Sequence, residues 1–259
     1  MALNLQKHAF TFVILFALIG VAALMVPVSA LRGLTGQNFT LFDLFSALPA
    51  AFLGPATGVA AVLIAKLAGL LIVPGSQFDA ISLLRALLPA SAGALFFWSY
   101  KNKATSATNW LLLQVLVPLL AILLFVLNPA IFGTAAMAFA LYWTIPIIAA
   151  FIPSNLFLRS LGATFSQHAV GGVLWLYLVP GAANPAFWLA LIPVVAVERF
   201  VFASGISLSY LGVNAVLSRI EWIAKSGHVH LASAIGARPA PSPLALRGAP
   251  KPSRKFSKR

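Results

Sequence analysis

Cysteine is absent from the 259 residues, which removes disulfides, thiol nucleophiles and thiolate metal sites together. Four scattered histidines give no HExxH-type ligand spacing, so redox chemistry, a metal and a cofactor are all unexpected. Acidic residues are as scarce: Asp43, Asp79, Glu198 and Glu221 are the whole set. Charged residues make up 8% of the chain, where soluble proteins carry about a quarter. There is no GxxxxGK[ST] phosphate loop, so the chain is not expected to hydrolyse ATP. It has no GxSxG turn and no paired intramembrane aspartates either, which disfavours a membrane hydrolase.

What the chain has instead is apolar mass. Hydrophobic residues are 61% of it and the mean hydropathy is +0.99. That composition predicts an all-α, polytopic transmembrane helical bundle in the cell membrane, with six to eight membrane segments. A carboxylate inside such a bundle is costly unless it is paired or faces a cavity, so the four acids mark the places to search for function.

The net charge of +13 is unevenly distributed, because seven of the seventeen basic residues follow Gly227. Residues 227–259 combine Pro, Ala, Ser and Gly with a closing basic run, Lys251 to Arg259, and read as a disordered tail. Its expected contacts are water and anionic lipid, at roughly 1 kcal/mol per basic residue at the membrane surface. No specific nucleic acid is expected. Residues 1–226 form the bundle, the last helix continuing past the membrane to about Ser226 with Leu208, Leu211, Val216, Ile220 and Ile223 on its apolar face.

Eight apolar segments are legible, at about 8–28, 39–53, 55–73, 79–99, 108–127, 134–153, 160–180 and 185–207. The first resembles a signal peptide, with Lys7 before an apolar run ending in Val28-Ser29-Ala30, but that run exceeds the usual ~7–15 residues and is expected to stay. The stretch 39–73 is longer than the ~20 residues that cross hydrocarbon and holds Gly54-Pro55 near its middle, which predicts a broken hairpin of short helices. Fusing it into one helix gives seven spans. Basic residues in short loops place the C-terminus in the cytoplasm in either case; the eight-segment reading puts Lys7, Lys101, Lys103 and Arg159 inside and Arg32 alone outside.

Helical spacing sorts the candidate residues. Gly54, Gly58, Ala61, Ala65 and Gly69 recur every three or four positions, a small-residue stripe for close packing inside the chain or against another membrane subunit. Ala86, Ala90 and Ala94 make a shorter one. In the seventh segment Ser160, Thr164, Gln167, His168, Gly171 and Trp175 share a polar, small face that must look into protein or water. Tyr142 and Trp143 are candidates for an aromatic wall or for interfacial anchors. Asp43 and Lys66 each lie about eleven residues from Gly54-Pro55, so a hairpin sets them at one depth and an ion pair between them is expected. By the same counting from the turn at 181–184, His168 and Glu198 are level, with Arg199 pointing about 100° away. Arg85 lies about 9 Å along its helix from Asp79, deep enough to meet an anionic group.

The run Phe42-Asp43 through Gly54-Pro55-Ala-Thr-Gly58, the glycine-rich helix after it, then Pro74-Gly75 and Ile81-Ser82-Leu83-Leu84, resembles the substrate-binding (S) components of energy-coupling-factor vitamin transporters. The resemblance covers residues 39–99. It departs from the family in segment number, six being usual, and in Lys66, which stands where many members have an acid. It implies capture of a small-molecule solute from outside, with a transmembrane coupling subunit and ATPases as partners. From the residues and the resemblance together, the expected activity is noncovalent solute binding at His168, Glu198, Gln167, Thr164, Arg85 and Arg199, without catalysis. The alternatives are a lipid- or phosphate-handling enzyme with His168 as base and Arg159 or Arg199 on the phosphate, and a structural membrane subunit.

Overall fold

Backbone chemistry at Gly54-Pro55 decides how the first half of the chain is laid out. Gly54 has φ 85°, a left-handed conformation open to glycine, and Pro55 fixes the first position of the next helix. The chain therefore reverses there rather than running on as one helix. The computed structural model describes residues 2–30, 38–73, 78–101, 108, 111–152 and 155–219. The tail 227–259 and the helix extension from 220 to 226 lie outside the described residues.

Helix α1 (Ala2–Leu24) is followed by two short antiparallel strands, β1 (Pro27–Ala30) and β2 (Asn38–Thr40). The strand pair is a small addition to a mostly helical chain: three- and four-residue strands beside an apolar helix leave no period-2 signal to read. A 3-10 turn (Leu41–Leu44) and α2 (Leu48–Leu53) then lead to Gly54, and α3 (Pro55–Ile72) returns. Every residue of α2 is buried, so this short helix is an inserted element.

Helix α4 (Ala80–Lys101) follows, capped by Asp79, whose Oδ1 accepts from the Ile81 and Ser82 N–H groups at 2.8 and 3.0 Å. Two later segments are less regular than expected. Leu111–Leu116 is wound as a π-helix before α5 (Val117–Val126), and Ala135–Trp143 is a 3-10 helix before α6 (Thr144–Ala150). Pro118 and Pro146 supply the reason: neither has an N–H for the carbonyl four residues back, so the preceding turn is wound differently. The chain ends, as described, with α7 (Leu156–Leu178) and the 35-residue α8 (Pro185–Arg219).

Three helical stretches are long and apolar enough to cross a membrane: Pro55–Ile72, Ala80–Ser99 and Pro185–Arg219. Phe10–Leu24, Leu41–Leu53, Leu111–Val126 and Ala135–Ala150 are apolar but shorter. Helix α7 has the length and a more polar sequence, and its position accounts for that: it packs against α4, α5, α6 and α8, and ten of its residues are buried. Large apolar side chains such as Leu71, Leu208, Leu141 and Val197 stand instead on the outer surface. An apolar exterior around a polar central helix is the arrangement a bilayer favours.

The small-residue stripe of α3 is covered from within the chain. Gly54, Gly58, Ala61, Ala65 and Gly69 are all buried. A Cβ on Gly58 would stand 2.2 Å from the Ala50 Cα, one on Gly69 2.5 Å from a Leu24 side chain, and one on Gly20 2.8 Å from the Ala65 Cβ. Helices α1 and α2 thus lie on this face at backbone distance. On α4, Gly93 plays the same part toward α7, where a Cβ would meet Gln167 and the Ala163 carbonyl at 3.1–3.2 Å, while Ala90 and Ala94 pack with Ala50, Val62 and Ala65 of α2 and α3.

Candidate functional site

Near the Asp79 end of α4 the helices do not close on one another, and a cavity of about 280 Å³ remains. Its walls come from α3 (Lys66), α4 (Arg85, Ala86, Pro89, Ala90), α7 (Gln167, His168, Gly171, Gly172, Trp175) and α8 (Phe187, Trp188, Leu191, Arg199). The segment that follows β1 closes it with Phe39 and Asp43. Two glycines shape the α7 side: a Cβ on Gly171 would face Pro89 across the cavity wall, and one on Gly172 would fall 2.7 Å from the Trp143 ring, so Trp143 packs directly on the helix there. Four aromatic residues and six polar or charged side chains converge here inside an apolar bundle, the combination that ligand clefts share.

Of the six residues expected to contact a solute, four line the cavity: His168, Gln167, Arg85 and Arg199. Thr164 sits one turn below and supports it, its hydroxyl accepting from Arg199 Nη1 at 3.1 Å. Glu198 is not part of the wall. It lies on the flank of α8, 13% exposed, with Oε2 3.8 Å from Arg199 Nη2. The inward face of α8 is Trp188, Leu191, Val195, Arg199, Phe202, Ala203 and Ile206, so Arg199 rather than Glu198 takes the central place. The antiparallel register of α7 and α8 is fixed by the Arg199–Thr164 contact and by a Ser207–Ser160 hydrogen bond of 2.9 Å.

Asp43 and Lys66 both reach the cavity, but not as a pair. Asp43 Oδ2 accepts from the Thr40 N–H at 2.9 Å and Oδ1 from Gln167 Nε2 at 3.1 Å, while Lys66 Nζ lies 4.5 Å from the centre of the Phe42 ring. The 3-10 turn explains the difference, because it directs the Asp43 carboxylate back over its own N-cap and toward α7 instead of toward α3. Gln167 Oε1 in turn accepts from Ser46 at 3.3 Å, so the inserted segment is tied to α7 through two polar bonds.

His168 is held in one tautomer. Its Nδ1 accepts from the Trp143 indole N–H at 3.1 Å, which leaves the neutral ring's proton on Nε2. Trp143 itself is fully buried, and Tyr142 donates to the Ile192 carbonyl at 2.7 Å, so Trp143 braces the imidazole and Tyr142 braces α8. Arg159 stands apart from the cavity. It is buried against Phe97, whose carbonyl accepts from Nε at 2.6 Å, with the Tyr210 ring 5.3 Å away. Of the two arginines named for a phosphate beside His168, Arg159 or Arg199, only Arg199 lines the cavity.

Each cavity cation also rests against an aromatic ring: Arg85 4.4 Å from Trp175, and Arg199 4.7 Å from Phe39 and 4.5 Å from Phe202. Such contacts hold a charge in place while leaving its N–H donors at the edge. Phe39 was not singled out as a site residue from the sequence, since a lone aromatic in a loop carries no periodic signal; its position between Arg199 and the cavity depends on the strand pair. Among the described residues no group of three or more His, Cys, Asp or Glu side chains could hold a metal ion. Comparison of the chain with protein-family models, with curated proteins and with solved structures finds no match to any of them.

Proposed function

We propose that the protein is a membrane-embedded solute-binding subunit that takes a small molecule into the cavity between α3, α4, α7 and α8 and takes part in its import. The observation that carries this reading is the cavity itself: about 280 Å³, walled by charged and aromatic side chains, inside a bundle whose exterior is apolar. It is at the lower edge of ligand-cleft sizes, roughly 300–1,000 Å³, which suits a small solute. The reading places six to eight segments in the cell membrane, the cavity end outward and the C-terminus in the cytoplasm, as the basic loops direct. In this arrangement the chain acts like an S component of an energy-coupling-factor importer, with the driving energy from a separate coupling subunit and ATPases. The α3 stripe is occupied by α1 and α2, which leaves such a subunit to dock on the outward-facing apolar surface of other helices.

Mild-detergent purification followed by mass spectrometry of the released small molecules tests this. A stoichiometric water-soluble solute, lost when Gly171 is replaced by Leu to narrow the cavity beside Pro89, is the expected result. Retention of phospholipid alone, unaffected by that substitution, would overturn the reading.

A further inference from the structure

The cavity wall holds a cation whose bonding is incomplete. Arg199 is 2% exposed, and its guanidinium donates through Nη1 to Thr164. Its Nε and Nη2 are buried and have no hydrogen-bond partner among the described residues; Glu198 Oε2, at 3.8 Å from Nη2, is beyond hydrogen-bond reach. Charged donors left buried without a partner carry their full desolvation cost. These two nitrogens share the side edge of the guanidinium, the edge whose parallel N–H groups match the two oxygens of a carboxylate.

The rest of the wall fits the same ligand chemistry. The tautomer that Trp143 imposes makes His168 Nε2 an N–H donor, and Lys66 adds an ammonium on the α3 side. The Asp43 carboxylate is turned to Gln167 and to the Thr40 N–H. The cations of the wall, Lys66, Arg85 and Arg199, outnumber its one carboxylate, Asp43, so the cavity favours an anion. The flat, two-pronged edge of Arg199 matches a carboxylate. Trp175, which carries Arg85 on its ring, together with Trp188 and Phe187 adds ring surface for an apolar body.

We infer that the cavity takes a monocarboxylate carrying an aromatic or similarly flat apolar ring, with the carboxylate on the Nε–Nη2 edge of Arg199 and the ring against the tryptophans. This rests on the solute-binding reading above and names the class of solute. The neutral isostere leaves Arg199 unpaired and the cationic one repels it, so discrimination resides in the carboxylate.

The test uses the full chain in nanodiscs of phosphatidylcholine. Benzoate, 2-naphthoate and indole-3-propionate are titrated with tryptophan fluorescence and melting temperature as readouts, beside 2-naphthamide and 2-naphthylmethylammonium. At least one aryl carboxylate is expected to raise the melting temperature and perturb the fluorescence. Its neutral and cationic counterparts should bind at least about tenfold more weakly, because an unpaired buried donor is left behind. Arg199→Lys keeps the charge and loses the two-pronged edge, and should weaken binding by about tenfold or more. Lys66→Gln, at a partly exposed position, should weaken it several-fold and serves if the Arg199 variant does not fold.

Equal binding of the amide, or binding unchanged in both variants, would overturn the inference. So would the failure of all three carboxylates, or an effect that appears only when phosphatidylglycerol is added to the discs, which would assign the site to a lipid phosphate. The two readings fail separately. A non-acidic solute recovered by mass spectrometry would sink this inference and leave solute binding standing, whereas carboxylate binding without uptake of the bound acid into cells would do the reverse for import.

Discussion

Replacement of Gly58 by alanine should be among the most damaging single-methyl additions to this protein. Both residues are helical, and alanine is favoured over glycine in a helix by ~1 kcal/mol, so local propensity alone predicts a gain. The surroundings reverse the sign. A Cβ at this position would lie 2.2 Å from the Ala50 Cα, 2.3 Å from the Ala50 nitrogen and 2.5 Å from the Pro49 carbonyl carbon. Carbon atoms make their closest comfortable contact at about 3.5 Å, so α2 would have to retreat from α3 by about 1.3 Å. Those atoms are backbone, which cannot rotate aside, and α2 is wedged in the core by Leu48, Ala50 and Phe52, each 0% exposed. Overpacking of this kind costs typically 1–3 kcal/mol, and a backbone clash sits at or above the upper end. Gly212→Ala on α8 is the control, since nothing lies within 4 Å of a Cβ there and the same propensity gain of up to ~1 kcal/mol should appear unopposed. Thermal melts of both variants in one detergent, read by tryptophan fluorescence, give the comparison. A Gly58→Ala melting temperature at or above that of the parent would refute the close packing of α2 on α3.

Three further outcomes are expected. Asp79 caps α4, and its hydrogen bonds from the Ser82 N–H and hydroxyl hold its carboxyl below the usual range. A depressed folded value means that the stabilisation is present above the unfolded pKa and is lost as pH falls through the folded one, so Asp79→Ala should melt lower than the parent at pH 7, with the gap closing as pH falls below about 4; a gap independent of pH would argue against the cap. A double-mutant cycle of Asp43→Ala with Gln167→Ala should give a coupling of at least about 0.5 kcal/mol, and Asp43→Ala with Lys66→Met should be additive within about that amount; the opposite pattern would restore the Asp43–Lys66 pair. Because the chain has no cysteine, a single one introduced at Asp79 or Lys101 is a unique label: impermeant maleimide should reach the first in intact cells and not the second, and labelling at Lys101 would invert the topology.

Composition and spacing by themselves determined a good deal. The scarcity of charge forces helices with apolar exteriors, and Gly54-Pro55 breaks the 39–73 stretch because proline blocks helix continuation and glycine accepts φ 85°. The face of Gln167, His168, Gly171 and Trp175 was legible because a polar stripe at helical period inside an apolar chain has to point inward. Which charge occupies the centre was not. Glu198 and Arg199 are neighbours about 100° apart on one helix, and only the packing of α8 against α7, set by Val195, Phe202 and Ile206, decides that the arginine faces in. Asp43 likewise could be placed at the depth of Lys66 by counting residues, but its partner depended on a 3-10 turn that counting assumes to be α-helical. The strand pair that delivers Phe39 to Arg199 was decided in the tertiary structure, because three residues carry too little pattern to compete with contacts from elements more than a hundred and fifty positions away.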